Sequence, residues 1–100
     1  MNEKEKIAVA LKYEPEKGAP EVIAKGKGYL AELILKIAKE HNLPIKEDSH
    51  LVQELYKLEL NKPIPRELYH AVAVVLAWAY KVNEKVKEKV LQEIKKGGAL

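Results

Sequence analysis

The stretch Ile7-Ala8-Val9-Ala10-Leu11-Lys12-Tyr13, followed after a turn by Val22-Ile23-Ala24-Lys25-Gly26-Lys27-Gly28 and Tyr29-Leu30-Ala31-Glu32-Leu33-Ile34, decides the fold. Its first seven residues alternate. Ile7, Val9, Leu11 and Tyr13 fall on one side and Ala8, Ala10 and Lys12 on the other, the period of a strand. The second side is small rather than polar, so another element can pack closely on it. Glu14-Pro15-Glu16-Lys17-Gly18-Ala19-Pro20 is a loop punctuated by Pro and Gly. Val22-Ile23-Ala24 predicts a second strand, which Lys25-Gly26-Lys27-Gly28 breaks. From Gly28 the period changes. Leu30, Leu33, Ile34, Ile37 and Ala38 fall at helical spacing and predict a helix ending near His41-Asn42.

Outward from there, Leu43-Pro44-Ile45-Lys46-Glu47 is expected as a third short strand, with Pro near its start. Asp48 or Ser49 caps a second helix whose buried side is Leu51, Val52, Leu55, Tyr56 and Leu58. Asn61-Lys62-Pro63-Ile64-Pro65 is a stiff connector, with Pro65 expected as the first residue of a third helix. That helix carries the stripe Leu68, Tyr69, Val72, Ala73, Leu76, Ala79 and Tyr80, widened by Val75 and Trp78. Its periodicity runs on through Val82, Val86, Val90, Leu91 and Ile94 to Gly97-Gly98. A straight helix from Pro65 to Lys96 would be ~48 Å long. The expected class is α/β: a small mixed β-sheet of about three strands surrounded by about three helices, with an extended C-terminal helix. Strand two, helix one and strand three would form a β-α-β unit. The chain divides into a charged N-terminal segment (1–6), a domain (7–82) and a Lys/Glu-rich helical extension (83–100) suited to self-association.

Composition narrows the function. The 100 residues include no Cys, which excludes disulfides, a thiolate nucleophile, Cys-ligated zinc and iron–sulfur clusters. No run approaches the ~20 apolar residues of a membrane-spanning helix. Met1 to Lys6 hold no apolar core of a secretory signal, so a cytoplasmic location is expected. The net charge of +3 raises a nucleic-acid-binding alternative, together with the Lys-Gly-Lys-Gly turn. Against it, Lys and Glu interleave, Arg66 is the one arginine, and no phosphate-loop pattern surrounds Gly26 and Gly28. His41, His50 and His70 show no metal-ligand spacing, and Ser49 has no nucleophile context. No metal, cofactor or catalytic residue is expected.

Several stretches together resemble one family. They are Ala8-Val9-Ala10-Leu11-Lys12-Tyr13-Glu14, Ala19-Pro20, Val22-Ile23-Ala24-Lys25-Gly26, Leu51…Leu55-Tyr56, and Ile64-Pro65…Leu68-Tyr69…Ala71-Val72-Ala73-Val74-Val75-Leu76-Ala77-Trp78. In order and spacing they resemble the cytoplasmic domain of FlhB/YscU-type export-switch proteins of flagellar and injectisome type III secretion. The resemblance implies an α/β core and a non-enzymatic module at the base of the export apparatus. Its implied partners are export-gate proteins, export substrates or a membrane-bound FlhB-like N-terminal half. The family's apolar contact patch matches Ala19, Pro20, Ala73 and Leu76. Ala73 and Leu76 also lie on the stripe assigned above to the core; a shallow groove between the 14–20 loop and helix three would serve both roles. The family's Asn-Pro-Thr-His cleavage motif matches Glu3, Lys4, Glu5 and Lys6. Glu3 has no amide nitrogen to attack, so autocleavage is not expected, and self-cleavage at another bond is a third reading. The resemblance implies a stand-alone relative of the cytoplasmic half.

Overall fold

The computed structural model describes residues 6–82. Glu3, Lys4 and Glu5, and the extension at 83–100 with its apolar positions Val86, Val90 and Ile94, lie outside the described residues. Strand β1 (Ile7–Lys12) and strand β2 (Glu21–Lys27) form an antiparallel hairpin around a 3₁₀ turn at Pro15–Lys17. Helices α1 (Tyr29–Glu40), α2 (Ser49–Tyr56) and α3 (Tyr69–Val82) follow, with a second 3₁₀ turn at Arg66–Leu68.

The alternation in β1 gives the hairpin two unlike faces. Ala8 pairs with Gly26 and Ala10 with Ala24, so four small residues share one face. Helix α1 packs on it, with Ala31 fully buried. A Cβ on Gly26 would stand 2.6 Å from Leu30 Cβ, so a larger residue there would push the helix off the sheet. Between Ala10 and Leu11 the register shifts by one, placing Val22 rather than Ile23 opposite Leu11. Val22 thereby joins Val9 and Leu11 on the other face. There Leu51, Leu55, Ile64 and Val72 complete the buried core.

Among the described residues the sheet has two strands, not three, and there is no β-α-β unit. Helix α1 ends at His41, and Asn42 turns left-handed (φ +57°). Leu43 N–H donates to the Ala38 carbonyl at 2.8 Å and Asn42 N–H to that of Lys39 at 3.1 Å, a Schellman stop. Residues 43–48 then run without regular structure, Leu43 and Ile45 exposed. The outer edge of β2 is met instead by the proline connector. Asn61 N–H donates to Val22 O at 2.8 Å and Ile64 N–H to Pro20 O at 3.0 Å, with a bridge between Glu21 and Pro63. Pro63 and Pro65 have no N–H, so the ladder cannot lengthen.

Asp48 is the cap of α2, accepting from Leu51 N–H at 3.0 Å. The other end of α2 is closed from the sheet. Lys25, opposite Val9, donates its Nζ to the carbonyls of Tyr56 (2.9 Å) and Leu58 (2.6 Å). An ammonium at a helix C-terminus meets the negative end of its dipole. Lys25 and Lys27 also stand 5.2 and 4.8 Å from the Tyr56 ring centre. Lys25-Gly26-Lys27, expected to break the strand, is instead its last part, and Gly28 N–H donates to Lys6 O at 2.7 Å beyond it.

Two helices sit in a different rotation from the one periodicity predicts. On α1, Leu30, Leu33 and Ile37 are exposed while Ala31 is buried. On α3, Val72 is fully buried, and Leu68, Ala71, Val75 and Leu76 pack on the core. Tyr69, Ala73 and Tyr80, expected inside, are exposed. Residues 69–80 hold apolar side chains at nearly every position, so the inner side is chosen by packing rather than by period. Pro65 is extended (φ −72°, ψ 158°) and precedes the 3₁₀ turn instead of opening the helix.

Candidate partner-binding site

The loop after β1 is held by its own chain. Lys17 N–H donates to Glu14 O at 2.9 Å and Gly18 N–H to Pro15 O at 3.1 Å. Gly18 takes φ +84°, a left-handed turn that favours glycine. The Glu14 carboxylate lies 3.2 Å from Lys17 Nζ and 3.7 Å from Lys12 Nζ. The hydrogen bond from Lys17 and the charges of Lys12 and Lys17 hold its carboxyl below the usual range; the same bond to Glu14 raises Lys17. The loop then returns through Ala19, which is buried, and Pro20, whose carbonyl is taken by Ile64.

This anchoring sets the loop beside α3 and leaves a groove of about 320 Å³ between them. Its lining is Tyr13, Gly18, Pro20, Tyr69, Ala73 and Leu76. Of the residues that the resemblance implicates, Pro20, Ala73 and Leu76 meet here. Ala19 does not line the groove; it is buried. Leu76 is half-buried and belongs to both groove and core. The rotation of α3 that exposes Ala73 is what frees it for the groove. Tyr13 and Tyr69 were missed because alternation and periodicity place both inside. They stand 47% and 43% exposed. Tyr13 lies just beyond β1, before the loop turns away. Tyr69 opens α3 directly after its 3₁₀ turn.

A second cleft, of about 330 Å³, runs along α1 and is lined by Lys6, Glu32, Leu35, Lys36, Lys39 and Glu40. Its charges are mixed, and Lys6 Nζ stands 3.9 Å from Glu32 Oε2. Of the four positions matched to a cleavage motif, Lys6 alone is described. Among the described residues no cluster of His, Asp or Glu could hold a metal ion. No described helix is long and apolar enough to cross a membrane. Lysines here face carboxylates or an aromatic ring: Lys12 and Lys17 with Glu14, Lys57 with Glu54, Lys62 with Glu59, and Lys46 over Trp78. No single-sign surface for nucleic acid is drawn by them.

A two-stranded sheet between helices, with an apolar groove beside an anchored loop, defines a small α/β domain. Residues 3–79 match the model of the FlhB, HrpN, YscU and SpaS family. The chain belongs to this family. It is 45% identical over 89 residues to the flagellar biosynthetic protein FlhB of Helicobacter pylori, covering 87% of this chain and 25% of that one. It is 46% identical over 83 residues to YlqH of Bacillus subtilis, covering 82% of this chain and 89% of YlqH. The chain thus spans about a quarter of the FlhB protein and most of YlqH. Among solved structures, a variant of the EscU/SpaS C-terminal domain superposes with a TM-score of 0.72 at 31% identity, covering 75% of this chain and 95% of that one. The cytoplasmic domain of FlhB from Shewanella putrefaciens superposes with a TM-score of 0.71 at 35% identity, covering 93% and 71%.

Proposed function

We propose that the chain is a non-enzymatic interaction module of a flagellar or related type III export apparatus. It sits in the cytoplasm, peripheral to the apparatus, and binds short apolar segments of export substrates in the groove between the 14–20 loop and α3. The carrying observation is the convergence of Pro20 with Ala73 and Leu76, more than fifty residues apart in sequence, in one groove. Burial of aliphatic groups in such a groove is worth roughly 25 cal/mol per Å² of apolar surface. That suits weak, reversible handling of many substrates. The module docks to export-gate proteins or to a membrane-bound FlhB-like N-terminal half. Strand β1 has β2 on one side and no described strand on the other, so a strand from such a half would add there.

The test is a pull-down of the full chain against export-gate cytoplasmic domains and flagellar export substrates, beside Leu76→Asp. Capture by the wild type that Leu76→Asp loses supports the reading. Binding no tighter than millimolar for the wild type overturns it.

A further inference from the structure

We infer that the segment 84–94 docks along the exposed apolar side of α1 in the same chain, antiparallel to that helix. This surface lies on the small-residue side of the hairpin, away from the groove, and the inference does not rest on the proposed function.

Three observations carry it. The first is the face itself. Within α1 only Ala31 is buried, while Tyr29, Leu30, Leu33 and Ile37 are exposed. Leu30, Leu33 and Ile37 share one side of the helix at i, i+3 and i+7. Leu43 and Ile45, in the segment that leaves α1, are exposed as well. A contiguous apolar surface of this kind marks a contact. The second is where the chain leaves the domain. Lys46 Nζ stands 5.1 Å from the centre of the Trp78 ring. That contact sets the last turns of α3 beside the segment that leads off the end of α1. Val82 follows one turn later, ~6 Å along the axis. The chain after Val82 thus starts within reach of Ile45, Leu43 and Ile37.

The third is length and spacing. Val86, Val90 and Ile94 recur every four residues, with Leu91 beside Val90, and Glu, Lys and Gln fill all the remaining positions from 84 to 96. A helical segment with one apolar side needs a surface on which to bury it. As a helix, Val86 to Ile94 would span ~12 Å, against ~10 Å from Leu30 to Ile37. Antiparallel docking sets Val86 by Ile37, Val90 by Leu33 and Ile94 by Leu30. Asn83 suits the reversal, as Asn42 and Asn61 already turn this chain with positive φ. One side of a twelve-residue helix is less than the roughly 800 Å² per partner that a stable complex of separate chains buries. A tethered segment needs less, because the linkage supplies a high effective concentration. The occupant is therefore the chain's own extension rather than a second copy.

The chain has no Cys, so an introduced pair reports placement directly. Full-length Leu33→Cys/Val90→Cys, at low protein concentration with oxidised glutathione, is expected to close a disulfide within one chain. Intact mass reads it as a monomer lighter by two hydrogens. Leu33→Cys/Glu88→Cys, with its second thiol on the opposite side of the segment, should close at least about tenfold more slowly. Hydrogen exchange gives a second reading. In full-length Leu33→Asp the amides of 86–94 should lose protection at least about tenfold, while those of β1 and β2 keep theirs. Leu33 is exposed, so the domain itself is expected to fold. A disulfide-linked dimer would make a second copy the occupant and overturn the inference. Equal closure of the two pairs, or exchange at 86–94 that Leu33→Asp does not change, would overturn it too.

Discussion

The two faces of the β1–β2 hairpin are held by opposite means. On one face Ala8, Ala10, Ala24 and Gly26 bring α1 close to the backbone. On the other, Val22, Leu51, Leu55, Ile64 and Val72 fill a core between sheet, α2 and α3. The small face is sensitive to atoms added, the large face to atoms removed. The difference bears on the proposed site, because the groove is built on the large-residue side. Leu76 is shared between groove and core, whereas α1 packs on the small-residue face.

Four substitutions break or sharpen that contrast, from the largest effect down. Leu55→Ala empties the core and is expected to cost about 3 kcal/mol of unfolding free energy in urea melts. Gly26→Ala, a change that adds one methyl group, should cost about 2 kcal/mol, because Leu30 and the α1 backbone stand in its way. If Gly26→Ala proves neutral, close approach is not what holds α1. Lys25→Met keeps much of the stem but removes the ammonium from the carbonyls of Tyr56 and Leu58. It should cost about 1 kcal/mol, with hydrogen exchange rising at the end of α2.

The smallest effect belongs to Glu14→Gln. The carboxyl of Glu14 is held below its ordinary value of 4.5 by Lys17 and Lys12. A lowered folded-state value means that the unfolded chain binds the proton more tightly. Its stabilisation is therefore present above the ordinary value and lost as pH falls through the depressed one. The wild type should lose slightly more stability than Glu14→Gln between neutral and acidic pH, read as a difference in melting temperature. Equal acid sensitivity would show that the loop's ion pairs are dispensable.

Local signals were legible and rotations were not. The alternation of Ile7 to Lys12 and the cap at Asp48 are each written in adjacent residues, and the structure follows them; the break expected at Lys25-Gly26-Lys27-Gly28 falls later, because Gly26 pairs with Ala8 and β2 runs on to Lys27. The strand expected at Leu43–Glu47 is absent because Asn42 ends α1 in a left-handed turn, and nothing pairs with the segment that leaves it. The pairing passes to residues 61–64, where Pro63 disguises an edge segment that donates through the N–H groups of Asn61 and Ile64. Helix α3 was legible as a helix but not in its rotation, since apolar side chains surround it. That one ambiguity hid Tyr69 and made Ala73 look like core. Ala19, Pro20, Ala73 and Leu76 came from resemblance rather than from period. The structure brings three of them to one groove and buries the fourth.

The most direct measurement is the affinity of full-length Ala73→Glu for an export substrate that the wild type captures. Ala73 is exposed and carries only a methyl group, so the substitution places a charge in the groove without opening the core. The melting temperature should stay within about 2 °C of the wild type, as for ordinary surface changes. The account predicts that binding falls at least about tenfold, as expected for an uncompensated charge in an apolar contact. Wild-type affinity in a folded Ala73→Glu protein would contradict it.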